Sequence, residues 1–274
     1  MSNLKDVIAD TGFRFNKALG QNFISDKNLL DAIVADSGVT QDDVVVEIGT
    51  GGGTLTRALA DVAKRVTSFE VDENLKSVLA LTLQGVDNVE VVFCDVLKTS
   101  DDALREIVGA DSFKVVANLP YYITTPLVMR FLESDLDVKS LTVMVQQEVA
   151  DRFVAKANTA DYSAITLAIE SRGYAAITRK VNRKMFYPVP NVDSAVVRID
   201  VDRKKLAGEN RELLHKLIRS SFAMRRKTLV NNLSAAFGID KQTATEKIVS
   251  VGFSPMVRGE ALSLEDYIKL SHVF

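Results

Sequence analysis

The chain has 274 residues, 47% of them hydrophobic and 26% charged, with a formal net charge of -2. Its mean hydropathy of +0.07 and pI near 5.8 describe a globular chain with ample material for a core. A single cysteine, Cys94, excludes an internal disulfide framework, and with only two distant histidines, His215 and His272, no spacing for a structural zinc can be drawn. The stretch MSNLKDVIADTGFRFNKALGQNF lacks the apolar core of a signal peptide, and no apolar run approaches the roughly 20 residues of a membrane span. A reduced, cytoplasmic protein with neither membrane nor metal partners is expected.

In chain order, four short β-branched runs come first: DVVVEIG (43–49), RVTSFEVD (65–72), NVEVVFCD (88–95) and FKVVANLP (113–120). Each precedes a helical pattern, GTLTRALADVAKR, ENLKSVLALTLQG, DALREIVG and TTPLVMRFLES in turn. Strands alternating with helices predict a parallel sheet covered on both faces. The pattern continues through LTVMVQ (141–146), the helix-like QEVADRFVA and YSAITLAIES, and two strands, 175–181 and 194–201, expected to pair as an antiparallel edge. After about Asp202 the alternation stops. The remainder reads as helices separated by FGID and GFSPMVRGE, so the expected domains are 1–202 and 203–274 with DRKKLAGEN as the junction.

Charge is unevenly placed along this plan. Residues 1–171 hold 15 Lys and Arg against 26 Asp and Glu, whereas residues 172–227 hold 15 against 5. Clustered cations attract a polyanion and gain free energy by releasing its counterions, although a solvated charged face gives the same count.

The turn after the first run, EIGTGGGTLT, places Gly49, Gly51 and Gly53 as G-x-G-x-G, where glycines allow a ligand close to the backbone. The dinucleotide pattern G-x-G-x-x-G would need glycine where Thr54 stands, which disfavours NAD. Glu70 ends the second run, in place to accept from ribose hydroxyls, and Asp95 ends the third, in reach of an adenine amine. Three acids at strand ends, Glu47, Glu70 and Asp95, suit a ligand with a positive centre and no phosphates, such as S-adenosylmethionine; Glu47 has the alternative of binding backbone amides.

The fourth run ends in NLPYYITTP, an order that hydrophobic packing alone does not explain. The carbonyls of Asn118 and Leu119 can accept both protons of an aromatic amine, drawing its lone pair out of the ring. Pro120 fixes the turn that aims them, and Tyr121 offers a ring for base stacking.

NLPYYIT together with GQNF, EIGTGGGTLT, FEVD and CD resembles the ribosomal RNA adenine N6-dimethyltransferases, close to their kasugamycin-sensitivity branch, over nearly the whole chain. The resemblance implies a Rossmann-like α/β methyltransferase fold, a seven-stranded and mostly parallel sheet, followed by a small all-helical RNA-binding domain. It implies dimethylation by S-adenosylmethionine of two neighbouring adenosines in a hairpin loop near the 3' end of small-subunit (16S) ribosomal RNA, by a monomer that docks on the small ribosomal subunit. It places Asn22 and Ile24 over the methionine end of the cofactor, Gly49 and Gly51 along it, Glu70 at its ribose, Asp95 at its adenine, and Asn118 between cofactor and target. MFYPVPNVDSAV (185–196) matches the family's second aromatic motif, with Phe186 opposite Tyr121 across the target base. FAMRRKTLVNNL matches its basic helix through Arg225, Arg226 and Lys227, with Met224 and Val230 where a glutamine and a second arginine are expected. The rival readings are a large-subunit RNA dimethyltransferase of the antibiotic-resistance type and a ribosome-assembly factor without catalysis. DNA adenine and protein glutamine methyltransferases, which use related tetrapeptides, are a further alternative.

Overall fold

The computed structural model describes residues 4–16 and 19–274, so Lys17 and Ala18 of the GQNF region lie outside the described residues. The chain forms two compact units, residues 1–150 with 176–201, and residues 151–175 with 202–274. The expected boundary at 202 therefore differs by one segment. Residues 151–175 join the helical unit because Tyr162 and Leu167 belong to its apolar core.

The first unit begins with α1 (Leu4–Thr11), β1 (Phe23–Ile24) and α2 (Lys27–Ser37). It continues β2 (Val44–Ile48), α3 (Thr54–Ala60), β3 (Arg65–Glu70), α4 (Lys76–Thr82), β4 (Val89–Phe93), α5 (Asp101–Val108), β5 (Ser112–Asn118), α6 (Thr124–Glu133) and β6 (Asp137–Gln146). After α7 (Gln147–Phe153) and α8 (Ala164–Glu170) come β7 (Gly173–Val181), β8 (Phe186–Tyr187) and β9 (Ser194–Val201). Seven strands form one sheet in the order β4-β3-β2-β5-β6-β9-β7. The pairs among β4, β3, β2, β5 and β6 are parallel, and β6 with β9 is antiparallel. The parallel part is the sheet that the alternation of runs predicts, and the whole is the Rossmann-like arrangement that the family resemblance implies. The order reverses beside β2, and ligands of such sheets bind outside the carboxyl ends of the strands at that switch point.

Local chemistry starts and stops the helices where the sequence changes character. Asp26 accepts from the Leu29 amide at the start of α2, which ends at Gly38 in the left-handed region with φ 62. Ser100 caps α5, and Asp101 and Asp102 in its first turn complement the helix dipole. Several helices are shorter than their apolar patterns: the run from Thr54 stops at Ala60, and the run from Glu73 opens as a 3-10 turn before α4.

The helical unit holds α9 (Arg211–Ser221), α10 (Leu229–Phe237), α11 (Lys241–Ser250) and α12 (Leu264–Ser271). Leu214, Leu217, Leu233, Ile248 and Leu270 meet in its core with two buried tyrosines. The hydroxyls of those tyrosines are satisfied, Tyr162 donating to the Leu262 carbonyl at 2.8 Å and Tyr267 to the Gly259 carbonyl at 3.0 Å. The expected helix over 222–233 is not formed. Residues 222–227 are a turn, and Asn232, buried on α10, donates to the carbonyls of Ser221 at 2.8 Å and Met224 at 3.3 Å, satisfying the C-terminal end of α9.

Candidate active site

At the carboxyl ends of β2, β3, β4 and β5 lies a cavity of about 410 Å³. Asn22, Ile24, Gly49, Gly51, Glu70, Asp95, Asn118, Leu119, Pro120, Tyr121 and Phe186, drawn from across the first unit, all line it. Parallel topology explains the convergence, since each strand delivers its last residue to the same edge. A two-stranded antiparallel ribbon adds the remainder: β1 pairs with β8, Phe23 opposite Tyr187 and Ile24 opposite Phe186. The ribbon ties the GQNF motif to the second aromatic motif across the cavity.

The glycine turn is shaped by backbone torsions. Gly49 has φ 82, and a Cβ there would find nothing nearer than the Asn118 carbonyl at 3.7 Å, so it would project into open space beside that strand end. Gly51 has φ 53, and a Cβ would come within 3.0 Å of the Phe23 ring. With no side chain, Gly51 brings its amide to Glu70 Oε2 at 2.9 Å. Glu70 Oε1 accepts from the amides of Val71 at 2.8 Å and Asp72 at 2.9 Å. Three amides occupy about three of the four lone-pair sites of a carboxylate, and one site on Oε2 remains for a ligand. Asp95 stands two residues beyond β4; its Oδ1 accepts from the Leu97 amide at 3.0 Å and its Oδ2 pairs with Lys98 at 3.1 Å.

Glu47 departs from the expectation of three acids facing one ligand. It is fully buried and absent from the cavity wall. Its Oε2 accepts from the hydroxyls of Thr56 and Ser68, each at 2.6 Å, rather than from backbone amides. Burial pushes its pKa up to about 8, against the pull of those two hydroxyls and with a further push from Glu70. Glu47 is thus mostly neutral at pH 7, and the negative charge along this part of the wall comes from Glu70 and Asp95.

Asn118 is the last residue of β5, and its amide nitrogen donates to the Asn22 carbonyl at 3.0 Å. That bond fixes the plane of the amide and leaves Oδ1 with no donor among the described residues. Leu119 is buried and its amide donates to the Met144 carbonyl at 3.3 Å. Pro120, at φ -55, leads into a 3-10 turn over Tyr121–Ile123. The Tyr121 hydroxyl lies 3.2 Å from Ser194 Oγ, at the start of β9, which anchors the ring from its far end. Phe186 is 4% exposed, so it is a wall of the cavity and a member of the apolar core at once.

Two wall residues carry no expectation from sequence. Gln21 lines the cavity and donates to Asp72 Oδ2 at 2.7 Å, fastening the N-terminal segment over the end of β3. The acid one step beyond FEV was the available signal. Tyr122 also lines the cavity although it is 58% exposed, and its doubling of the tyrosine in YY was the only mark. Arg225, Arg226 and Lys227 lie elsewhere, exposed on the 222–227 turn of the helical unit. Arg225 donates to the carbonyl of Ala160 at 2.9 Å and stands 3.9 Å from Glu260. Arg226 and Lys227 have no side-chain partner among the described residues.

A glycine-turned cavity at the switch point of a parallel sheet, walled by two carboxylates and faced by a fixed amide, is where folds of this class bind their ligands. A family model described as ribosomal RNA adenine dimethylase matches residues 12–271. A ribosomal RNA small subunit methyltransferase A from Clostridioides difficile (strain 630) is 41% identical over 271 residues, covering 98% of this chain and 94% of that protein. Among solved structures, a dimethyladenosine transferase from Plasmodium falciparum superposes with TM-score 0.74 at 25% identity, over 90% of this chain and 95% of the other. The 23S rRNA methyltransferase ErmE gives TM-score 0.69 at 27% identity, over 92% and 98%. The chain belongs to the ribosomal RNA adenine dimethylase family, and it is an RNA adenine methyltransferase.

Proposed function

We propose that the protein dimethylates N6 of two adjacent adenosines in the 3'-terminal hairpin loop of small-subunit ribosomal RNA, with S-adenosylmethionine as methyl donor. The observation that carries the reading is the Asn118 amide, locked by the Asn22 carbonyl at the edge of a cavity that also holds the glycine turn and Glu70. The residues present fit that donor. Gly49 leaves room that a Cβ would fill, Glu70 keeps one acceptor site for a ribose hydroxyl, and Asp95 is placed for the adenine amine.

When bound, S-adenosylmethionine supplies an electrophilic methyl group on a sulfonium and is released as a neutral thioether. The protein's task is to make a poor nucleophile better. Asn118 Oδ1 and the Leu119 carbonyl accept the two amine protons of adenine and pull the nitrogen toward tetrahedral geometry, an interaction stronger in the transition state than in the ground state. Tyr121 and Phe186 hold the base between their rings, and the Ser194 contact keeps the Tyr121 ring in place. The new N–C bond leaves a protonated nitrogen acidic enough to pass its proton to water, so no side chain is needed as a base.

Arg226 and Lys227, without side-chain partners among the described residues, hold RNA phosphates from the helical unit. Action on the small subunit locates the protein with ribosomes in the cytoplasm, where docking also serves subunit assembly. Transfer of labelled methyl groups tests the reading. Under-methylated small subunits should accept about four methyl groups each, two per adenosine, while large subunits accept none. Label on large subunits alone would instead place the chain with the large-subunit enzymes.

A further inference from the structure

A second hollow, of about 570 Å³, opens in the same unit. Its walls include Gln146 at the end of β6, Gln147 at the start of α7, and Arg183, Lys184, Asn191 and Asp193 from the loop around β8. That loop also builds the active site: Lys184 stands two residues before Phe186, and Asp193 immediately precedes Ser194, the partner of Tyr121. The two hollows are therefore lined by one piece of chain.

The loop is held in shape by its own hydrogen bonds. The Arg183 amide donates to Asp193 Oδ1 at 2.9 Å, Arg183 Nη1 to the Asn191 carbonyl at 2.8 Å, and the Gln147 amide to the Asp193 carbonyl at 3.1 Å. The Lys184 amide donates to Asn182 Oδ1 at 3.0 Å. These bonds occupy backbone groups and Oδ1 of Asp193. They leave the side-chain amides of Gln146 and Asn191 and the Lys184 ammonium without partners among the described residues. From the same loop Val189 and Val192 stand 57% and 42% exposed.

Uncommitted amides present a donor and an acceptor together, the pair that reads a base edge. A free ammonium suits a phosphate, and exposed apolar side chains suit the face of a base. A preorganised hollow with that set fits one unpaired nucleotide. We propose that this hollow holds the nucleotide next in the strand to the target adenosine, so that the loop from 182 to 193 grips two consecutive nucleotides, one on each side. The proposal rests on the function given above. It adds a subsite that sets which adenosine is presented, separate from the stacking rings that hold the reacting base.

The test combines Lys184→Ala with Asn191→Ala, both exposed, and uses under-methylated small subunits as substrate. The double variant should raise KM for subunits about tenfold, with kcat and S-adenosylmethionine affinity at parent values. Subunits reconstituted around RNA lacking the base on one side of the target should raise KM for the parent by a similar factor. Variant and abasic substrate together should then be no worse than either alone, because both remove one contact. Losses that multiply, a variant with the parent KM, or a fall in kcat at unchanged KM each overturns the subsite. No transfer by the parent to intact subunits is a different result, which removes the functional reading and this proposal with it.

Discussion

The cavity edge of the sheet and the basic turn of the helical unit carry comparable sequence signals, yet they behave differently in the structure. At the cavity, motifs separated by up to 164 positions, from Asn22 to Phe186, meet around one volume because β1, β2, β3, β4, β5 and β8 end or pass there. In the basic segment of residues 172–227, contiguity does not become a single function. Arg179 is tied to Asp36 by bonds of 3.0 and 3.1 Å, Arg198 pairs with Asp200 at 2.7 Å, and Lys205 donates to the Gly173 carbonyl at 3.0 Å. Polar residues at strand ends inherit a position from topology. Cations on a surface have none imposed on them, and several are spent on the fold.

The largest effect that would break this comparison is at Asn118. Asn118→Ala should lower kcat by about 10²–10³, the scale for losing one preorganised polar group in a transition state, while the fold and most RNA affinity persist. A parent-like kcat would move the chemistry away from the β5 end. Glu70→Ala comes next. Loss of hydrogen bonds to a charged acceptor, worth about 1.5–3 kcal/mol, should weaken both S-adenosylmethionine and its thioether product roughly tenfold or more by calorimetry. Unchanged affinity would show that Glu70 serves only the three amides that surround it.

Glu47 sharpens the contrast from inside the core, because it lies near the end of β2 but level with Ser68, two residues short of Glu70. Its folded pKa, about 8, lies above the ordinary carboxylate value of 4.5, so the native state binds the extra proton. Stability should therefore be greatest below about pH 4.5 as far as this group is concerned, and should fall as pH rises toward 8, by roughly 3–5 kcal/mol at most. Denaturant titrations at pH 5, 7 and 8.5 should show the decline, and Glu47→Gln should flatten it. An equal decline in the variant would assign it to other groups.

How much of this was legible follows from what fixes each element. The strand 194–201 was expected and found at the same residues, since an alternation bounded by Asp193 and Asp202 leaves little freedom. Eight of the eleven named cavity residues were readable because strand ends and glycine turns are local signals, whereas Asn22, Ile24 and Phe186 came only from the family resemblance. The β1–β8 ribbon was not, since two residues per strand give no periodicity and their pairing spans the unit. Glu47 was misplaced because an acid on a β-strand looks alike in sequence whether it turns to ligand or to Ser68 and Thr56. The turn at 222–227 was hidden for a similar reason. Its residues continue a helical pattern, and the interruption is stabilised by Asn232, which sits eleven residues beyond the Ser221 carbonyl it satisfies.

The smallest expected effect is at the basic turn, and it asks whether any of the surface cations act as a footprint. Arg225 is unsuited to the test, because its bond to the Ala160 carbonyl gives it a part in holding the unit together. Arg226 and Lys227 are exposed and have no side-chain partner among the described residues, so replacing both with alanine should leave stability and cofactor affinity unchanged. If each contacts one phosphate, counterion release predicts a slope of log affinity against log salt that is shallower by about 1.4, taking roughly 0.7 per contact on single-stranded RNA. Phosphate contacts position RNA without reading it, so the loss should be equal for the authentic hairpin and for one of scrambled loop sequence. A parent slope in the double variant would make the turn a solvated loop, and would leave RNA recognition to the first unit and its two hollows.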